Sequence, residues 1–387
     1  MGLFTKFLLT GLLGASTCLI LQPASEAAPV AKATVKPIVK SLVKPVVKPV
    51  IKTAAAQHPG RPVRYQSFQD RGAGGPVRVH MVEVNLKDHR VGVDVAMAKG
   101  EASKREPVTE IARRNKAVVA INGSFFHGTR VESSVGLIMK NGEIIADSGH
   151  RRTSLGITRE GTFVMGIPKI STGLYYPDTN KFQRVNGVNQ ARKAKQTIVY
   201  TPRFGQYTHS NKFGREVVVE DNRVVRYAYG NAKIPRNGFV ISAHGKTARD
   251  IQQLYPRGAY IELSAQRQAP WNKVETIITG APHLVHQGRI YNTYYQEHLN
   301  SSLKGPAARS AVGFTHNQKL LLVNVLPEHG SKGVTFSRLA QIMRRLGAFE
   351  AMAFDGGGST SLYVSERSIN AHRGVTNALI VTLDAKK

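Results

Sequence analysis

Residues 351–364 read Ala-Met-Ala-Phe-Asp-Gly-Gly-Gly-Ser-Thr-Ser-Leu-Tyr-Val. An apolar run leads to a carboxylate, three glycines and three hydroxyl side chains, and a second apolar run follows. Short apolar runs bounded by turn residues have the pattern of buried strands. Asp355 therefore stands at a strand end. Gly356, Gly357 and Gly358 free the backbone to take positive φ and to bring successive N–H groups toward one point. Such a concavity binds anions, phosphate among them. The same residues also make a common Gly-rich hairpin turn opened by Asp, so both readings stand at this stage.

Outward from this stretch the arrangement recurs. Residues 117–121 form an apolar strand that delivers Asn122-Gly123-Ser124-Phe125-Phe126, and Arg309 opens a strand over 309–314. Asn377 precedes a strand over 378–383. Loops at the ends of a rigid sheet are where sites are usually built. Period-two alternation marks strands over 77–86 and 91–98, with Lys87-Asp88-His89 as the turn between them. Hairpins are expected over 136–145 around Asn141-Gly142 and over 155–164 around 159–161. Further strands are read at 197–201, 215–219, 223–227, 239–244, 258–263, 274–279 and 320–325. Helical spacing appears over 108–116, 248–254 and 335–346, the last with Val334, Leu339, Ile342, Met343 and Leu346 on its apolar face and Gly347 as its stop. No linker or repeat divides residues 61–387. The fold class is α+β (mixed α/β): one large domain with a mixed, mainly antiparallel sheet, few helices and a strand-rich central insertion.

The chain ahead of this domain reads differently. Lys6, an apolar run over 7–21 and small residues at Ser25, Ala27 and Ala28 have the layout of a secretory signal peptide, residues 1–28. The apolar run is shorter than the ~20 residues a spanning helix needs, which favours cleavage over an anchor. Cys18 is the one cysteine and lies in that run, so the mature chain has no thiol, disulfide or Cys-ligated metal. Residues 29–60 alternate Lys, Pro and Val; Pro37, Pro45 and Pro49 exclude a regular helix and favour an extended tether. The chain is therefore expected to be exported, to the periplasm, cell envelope or extracellular space.

Charge narrows the partners. Lys and Arg number 54 against 25 Asp and Glu, a formal +29; residues 1–60 hold seven Lys and one Glu, which leaves +23 on the rest. A charge of that size favours polyanionic partners. No zinc finger, RNP-like aromatic strand or helix-turn-helix pattern accompanies it, so nucleic acid is not expected. A phosphate-bearing glycan or wall polymer is the expected partner. The tether either contacts an anionic membrane or wall or serves as a solvated spacer.

Taken together, the stretches Ala-Ile-Asn-Gly-Ser-Phe-Phe (120–126), Arg-Ser-Ala-Val-Gly-Phe (309–314), 354–364 and Arg-Gly-Val-Thr-Asn-Ala-Leu (373–379) resemble the phosphodiester glycosidase family. The resemblance runs from about residue 76 to the C-terminus and includes Asn189, Arg192, Tyr200-Thr201, residues 215–218, 234–238 and 280–290. It implies a glycoside hydrolase acting on a sugar joined through a phosphodiester. Two departures are visible. Ser124 stands where the family has Gly or Asp, and the segment between Asn370 and Arg373 is short, so the family's substrate does not transfer.

The implied chemistry passes through an oxocarbenium-like state, for which two carboxylates are the usual pattern. Asp355 is then the principal carboxylate, as nucleophile or base. Arg309 either holds a phosphate oxygen, which its planar fork suits, or forms a buried ion pair with Asp355. The N–H groups of 356–358 with Ser359 and Thr360 complete the anion pocket, and Arg373 borders it. Asn122, Gly123 and Asn377 are the sugar-binding candidates, the two Asn side chains being equally suited to capping turns. Glu132, which follows the Asn122 loop, is the candidate second carboxylate, ahead of Asp147, Glu216 and Glu262. His127, His244 and His372 lack an HExxH-like spacing. No metal or cofactor is expected, calcium on Asp355 being the one cation left open. Trp271 is read as packing rather than as a sugar platform.

Overall fold

The computed structural model describes residues 61–72, 74–128 and 131–384. The signal-peptide and tether readings lie outside the described residues. Within them the fold is strand-rich and almost wholly antiparallel, with one parallel pair, Gly187–Val188 beside Thr197–Tyr200. The strands form several sheets instead of one. No helix among the described residues is long and apolar enough to cross a membrane.

Two sheets built from the two ends of the domain carry the architecture. A seven-stranded sheet runs in the order Val63–Gly72, Gly75–Asn85, Lys319–Pro327, Arg309–Phe314, Glu350–Ala353, His283–His286, Arg289–Ile290. A five-stranded sheet runs Arg367–Ile369, Leu362–Val364, Val119–Asn122, Asn377–Leu383, Val91–Met97. Alternation decides the layering. Val82, Val312, Leu320 and Leu322 of the first sheet bury against Val119, Ile121, Leu379 and Val381 of the second. The opposite face of the seven-stranded sheet takes helix Phe336–Arg345 through Phe336, Leu339, Ala340 and Met343. Its N-cap is Thr335, whose hydroxyl accepts from Arg338 N–H. The far face of the five-stranded sheet takes helix Val108–Arg114. Burial on both faces leaves the central strands Val119–Asn122 and Glu350–Ala353 fully buried, whereas strands nearer the edges keep their alternation.

The middle of the chain builds a ten-stranded sheet from residues 137–279, with a small three-stranded sheet beside it, over a core of its own. This is the strand-rich central insertion. Both expected hairpins are present, Leu137–Lys140 with Glu143–Asp147 and Ser154–Thr158 with Phe163–Gly166. The turn at Asp221-Asn222 has φ of 48° and 61°, the left-handed pair that matches strand twist. The expected strand over 258–263 is displaced to Glu262–Arg267. Trp271 is 3% exposed and packs against Gly156, as core.

Two local readings change in the structure. Gly75–Asn85 and Val91–Met97 belong to different sheets, so the turn between them passes from one layer to the other. The same holds for residues 351–364. Glu350–Ala353 lies in the seven-stranded sheet and Leu362–Val364 in the five-stranded one. The glycine stretch is a crossing between layers, which removes the hairpin-turn reading.

Candidate active site

Strand direction brings the candidates to one place. Arg309 opens its strand, and the antiparallel neighbour Glu350–Ala353 ends toward Asp355, since Ala311 pairs with Ala353. In the other sheet Asn122 closes a strand, Asn377 opens one beside it, and Leu362 opens a third, with Ala378 opposite Asn122 and Leu362 opposite Ile121. The neighbouring ends of the two sheets are joined by side chains. Asn122, wholly buried, donates Nδ2–H to Asp355 O at 2.8 Å and accepts at Oδ1 from Ser310 Oγ (2.6 Å) and Ser361 N–H (3.0 Å). It bonds to both sheets and to both ends of the glycine crossing. Asn377, 1% exposed, accepts from Ser124 N–H and donates to Ser134 Oγ and Thr376 Oγ1. A Cβ on Gly123 would lie 2.1 Å from Asn377 Oδ1, so only glycine fits there. The two asparagines expected to meet sugar hydroxyls are thus committed to the scaffold that holds the crossing. Their amides are spent where folding needed them.

The crossing itself is a short 3-10 turn, Gly357–Ser359, with Gly357 at φ 59°. Its N–H groups do not converge on an open point as expected. Gly356 N–H donates to Asp355 Oδ1 at 2.9 Å, and Gly357 N–H to Ala308 O at 2.8 Å. Gly358 is exposed and borders Arg373, whose Nη1 lies 3.4 Å from where a Cβ would stand.

Asp355 is half-buried. Burial pushes its carboxyl above the ordinary range, against the Ser359 hydroxyl, the Gly356 N–H and the fields of Arg373 and Arg309, which favour ionisation. The Ser359 hydroxyl faces the carboxylate without a well-aligned hydrogen bond.

Arg309 is 2% exposed. Its guanidinium donates to Leu303 O (2.6 Å), Gly305 O (2.7 Å) and Val334 O (3.3 Å) and lies over the Phe336 ring at 4.0 Å. No ion pair within 4 Å joins it to Asp355 among the described residues. The fork expected to grip phosphate grips main-chain carbonyls instead, with Nη1 beneath Gly356. Burial lowers its pKa to about 10, so it remains a cation at neutral pH, and Asp355 raises it. Arg309 acts on the site as a fixed buried charge. The exposed cation of the site is Arg373.

Glu132 lies on the hairpin Phe126–Gly128 with Glu132–Ser134. Its Oε1 pairs with Arg105 at 2.7 Å, and its buried Oε2 has no partner among the described residues. Arg105 and Arg373 both lie over the Phe126 ring, at 5.5 and 5.4 Å. Contacts therefore run from Glu132 through Arg105 and Phe126 to Arg373, whose charge reaches Asp355. Ser359 Oγ and Thr360 Oγ1 are also buried without partners among the described residues. Buried polar atoms normally find partners, and the exceptions call for an explanation.

The remaining carboxylates are engaged elsewhere. Asp147 holds Arg151 at 2.7 and 2.9 Å. Glu216 accepts from Ser210 Oγ and Ala232 N–H, and Glu262 lies in the three-stranded sheet. Ser124 turns its hydroxyl to Thr279 O at 2.6 Å, tying the Asn122 loop to the ten-stranded sheet. Beside the Glu132 hairpin a cavity of about 140 Å³ is lined by His127, Ser133, His150, Gln190 and Lys193. Burial and the neighbouring cations Lys193 and Arg152 hold both histidines below their ordinary pKa. The reading from sequence passed over Arg105 and Phe126; an aromatic beside the Asn122 loop was the signal available for the second.

Two solved structures share this fold. A hypothetical protein from Synechocystis superposes with a TM-score of 0.74 at 22% identity over 84% of this chain, which spans 62% of the Synechocystis chain's length. A candidate exported protein from Burkholderia pseudomallei K96243 superposes with a TM-score of 0.65 at 19% identity, over 81% of this chain and 76% of that one. The zebrafish N-acetylglucosamine-1-phosphodiester alpha-N-acetylglucosaminidase catalytic domain, auto-inhibited by its pro-peptide, matches with a TM-score of 0.47 at 16% identity, over 86% and 87% of the two chains. No curated protein matches in sequence. A family model described as phosphodiester glycosidase matches residues 207–382, a span that includes Arg309, Asp355, the glycine crossing, Arg373 and Asn377.

Proposed function

We propose that the protein is an exported glycosidase that hydrolyses a sugar-1-phosphodiester bond in an envelope or extracellular glycan. The observation that carries this reading is the environment of Asp355. It is a carboxylate at the junction of two sheets, raised in pKa by burial, in the field of one buried and one exposed arginine. Ser359 and Thr360 on the same crossing, and Glu132 beyond Arg373, Phe126 and Arg105, hold oxygens without a partner among the described residues. A carboxylate that titrates closer to the working pH is the better proton acceptor once ionised. A phosphate leaving group requires little protonation, so stabilising its charge replaces much of the usual acid's part. In this mechanism Asp355 attacks the anomeric carbon or activates water, and Arg373 receives the departing phosphate from the solvent side. Arg309 offsets the charge from beneath the turn. Glu132 serves as the second carboxylate, with Arg105 holding Oε1; its Oε2 is buried, so a substrate meets it only once the Glu132 hairpin shifts. The basic cavity beside the hairpin extends the surface for a polymeric anion.

A second reading rests on the +23 charge of residues 61–387: a non-catalytic module that holds anionic envelope polysaccharide in the same cleft. Turnover separates the two. Purified protein assayed on a panel of sugar-1-phosphodiesters releases sugar if the first reading holds. Retention of an anionic wall polymer with no release from any member of the panel supports the second.

A further inference from the structure

Away from Asp355, three ligand-type side chains meet on the adjacent strands Glu350–Ala353 and His283–His286 of the seven-stranded sheet. His283 and His286 stand three apart in the strand His283–His286, and residues three apart in a regular strand face opposite sides. Here the register against Met352 and Ala351 slips between His283 and Val285. A bulge of that kind re-aims a side chain. Both imidazoles reach Glu350. His283 Nε2 lies 2.7 Å from Oε2 and His286 Nδ1 lies 2.9 Å from Oε1. The three donor atoms all lie within 4.8 Å of one another. His283 and Glu350 are 5% and 7% exposed, whereas His286 is open to solvent.

We propose that His283, His286 and Glu350 form a binding site for a divalent first-row transition metal, zinc being the type case, with a fourth coordination position open on the His286 side. Two imidazole nitrogens and one carboxylate oxygen select zinc, nickel, copper or cobalt over calcium and magnesium, which take oxygen. Metal–ligand distances of about 2.0–2.1 Å in a tetrahedron put donor atoms roughly 3.3 Å apart. Against that value the two N···O separations of 2.7 and 2.9 Å open by roughly half an ångström as hydrogen bonds give way to metal bonds, while the two imidazole nitrogens already lie within 4.8 Å of each other. The supporting shell is in place. Gln287 N–H donates to Glu350 Oε1 at 3.1 Å, and the Tyr291 ring lies 5.3 and 5.4 Å from the two imidazoles. A hydrogen bond such as that from Gln287 orients the ligating carboxylate in known metal sites. Glu350 opens the strand that ends toward Asp355, so a bound ion would pin that strand to its neighbour.

The full chain, stripped of metal, is titrated with ZnCl₂ in a calorimeter and with Co²⁺ followed by visible absorption. One saturable equivalent per chain is expected, with a tetrahedral-type cobalt spectrum and a rise in Tm that a chelator reverses. His286→Ala removes an exposed side chain and should lose this binding while keeping the metal-free Tm; Glu350→Gln should lose it as well. Should Glu350→Gln fail to fold, His286→Ala decides alone. Absence of saturable binding, or His286→Ala binding as tightly as wild type, overturns the proposal and leaves a buried carboxylate satisfied by its hydrogen bonds.

Discussion

On the reading proposed above, catalysis and stability make opposite demands at Asp355, and the conflict can be measured. Burial raises its folded pKa above the unfolded 3.8, so between those two values the native state binds the extra proton. Stability therefore falls as pH rises through that window, and the cost is fully present above the folded pKa. Asp355→Asn removes the cost. The variant should melt higher than wild type at neutral pH, with the gap closing as pH falls below the carboxylate range. Thermal scans from pH 3 to 8 check this, and a variant that melts lower throughout would mark Asp355 as a structural acid. Its kcat should fall about 10²- to 10⁴-fold, the usual worth of a positioned acid–base group. Arg373 is tested by the same logic. Its charge favours the ionised carboxylate, so Arg373→Ala should move the acid limb of kcat/KM to higher pH. An unmoved limb would put Arg373 outside the site.

At the scale of elements, the site depends on Asn122 joining the two sheets. Asn122→Ala leaves Ser361 N–H, Ser310 Oγ and Asp355 O without their partner, and each buried group stranded in this way costs about 1–3 kcal/mol. Denaturant unfolding should show a loss of at least that size, together with lost activity. A second test concerns strand Gly75–Asn85. Burial first and Arg78 second hold His80 down at about 4. Unfolded His takes up its proton near 6.5, so the native state loses stability as pH falls from 6.5 to 4, by up to about 3 kcal/mol. His80→Asn should flatten that part of the pH–Tm curve. Such elements were legible in the sequence to different degrees. Alternation and turn chemistry located most strands, because both are local. The sheet each strand joins is set by distant partners, so the crossings at 87–90 and 355–361 looked like hairpin turns. Arg309 was legible as important, yet its acceptors are main-chain carbonyls, which leave no mark in a sequence. His283 and His286 become a pair only through a bulge, which period-two reading hides.

For the whole molecule, charge is the property the fold does not use up. Residues 61–387 carry a formal +23, while Asp147, Glu106 and Asp70 are each occupied by arginines within the protein. Pairing of this kind spends the scarce acids on the scaffold and leaves a positive excess at the surface. Such a surface draws in a polyanion over a Debye length of about 10 Å at 0.1 M salt and about 3 Å at 1 M. Capture by rim charges acts on encounter and binding, whereas chemistry at the partly desolvated Asp355 is screened far less. Raising salt from 0.05 to 0.5 M should therefore raise KM for a polymeric phosphodiester glycan severalfold and leave kcat nearly level. A short sugar-1-phosphodiester, which meets only Asp355, Glu132 and Arg373, should show a much smaller change in KM. Equal salt dependence for the two substrates would mean that the basic surface takes no part in recognition. A fall in kcat with salt would instead place screened, solvent-exposed charges in the chemical step, against the buried geometry of Arg309 and Asp355.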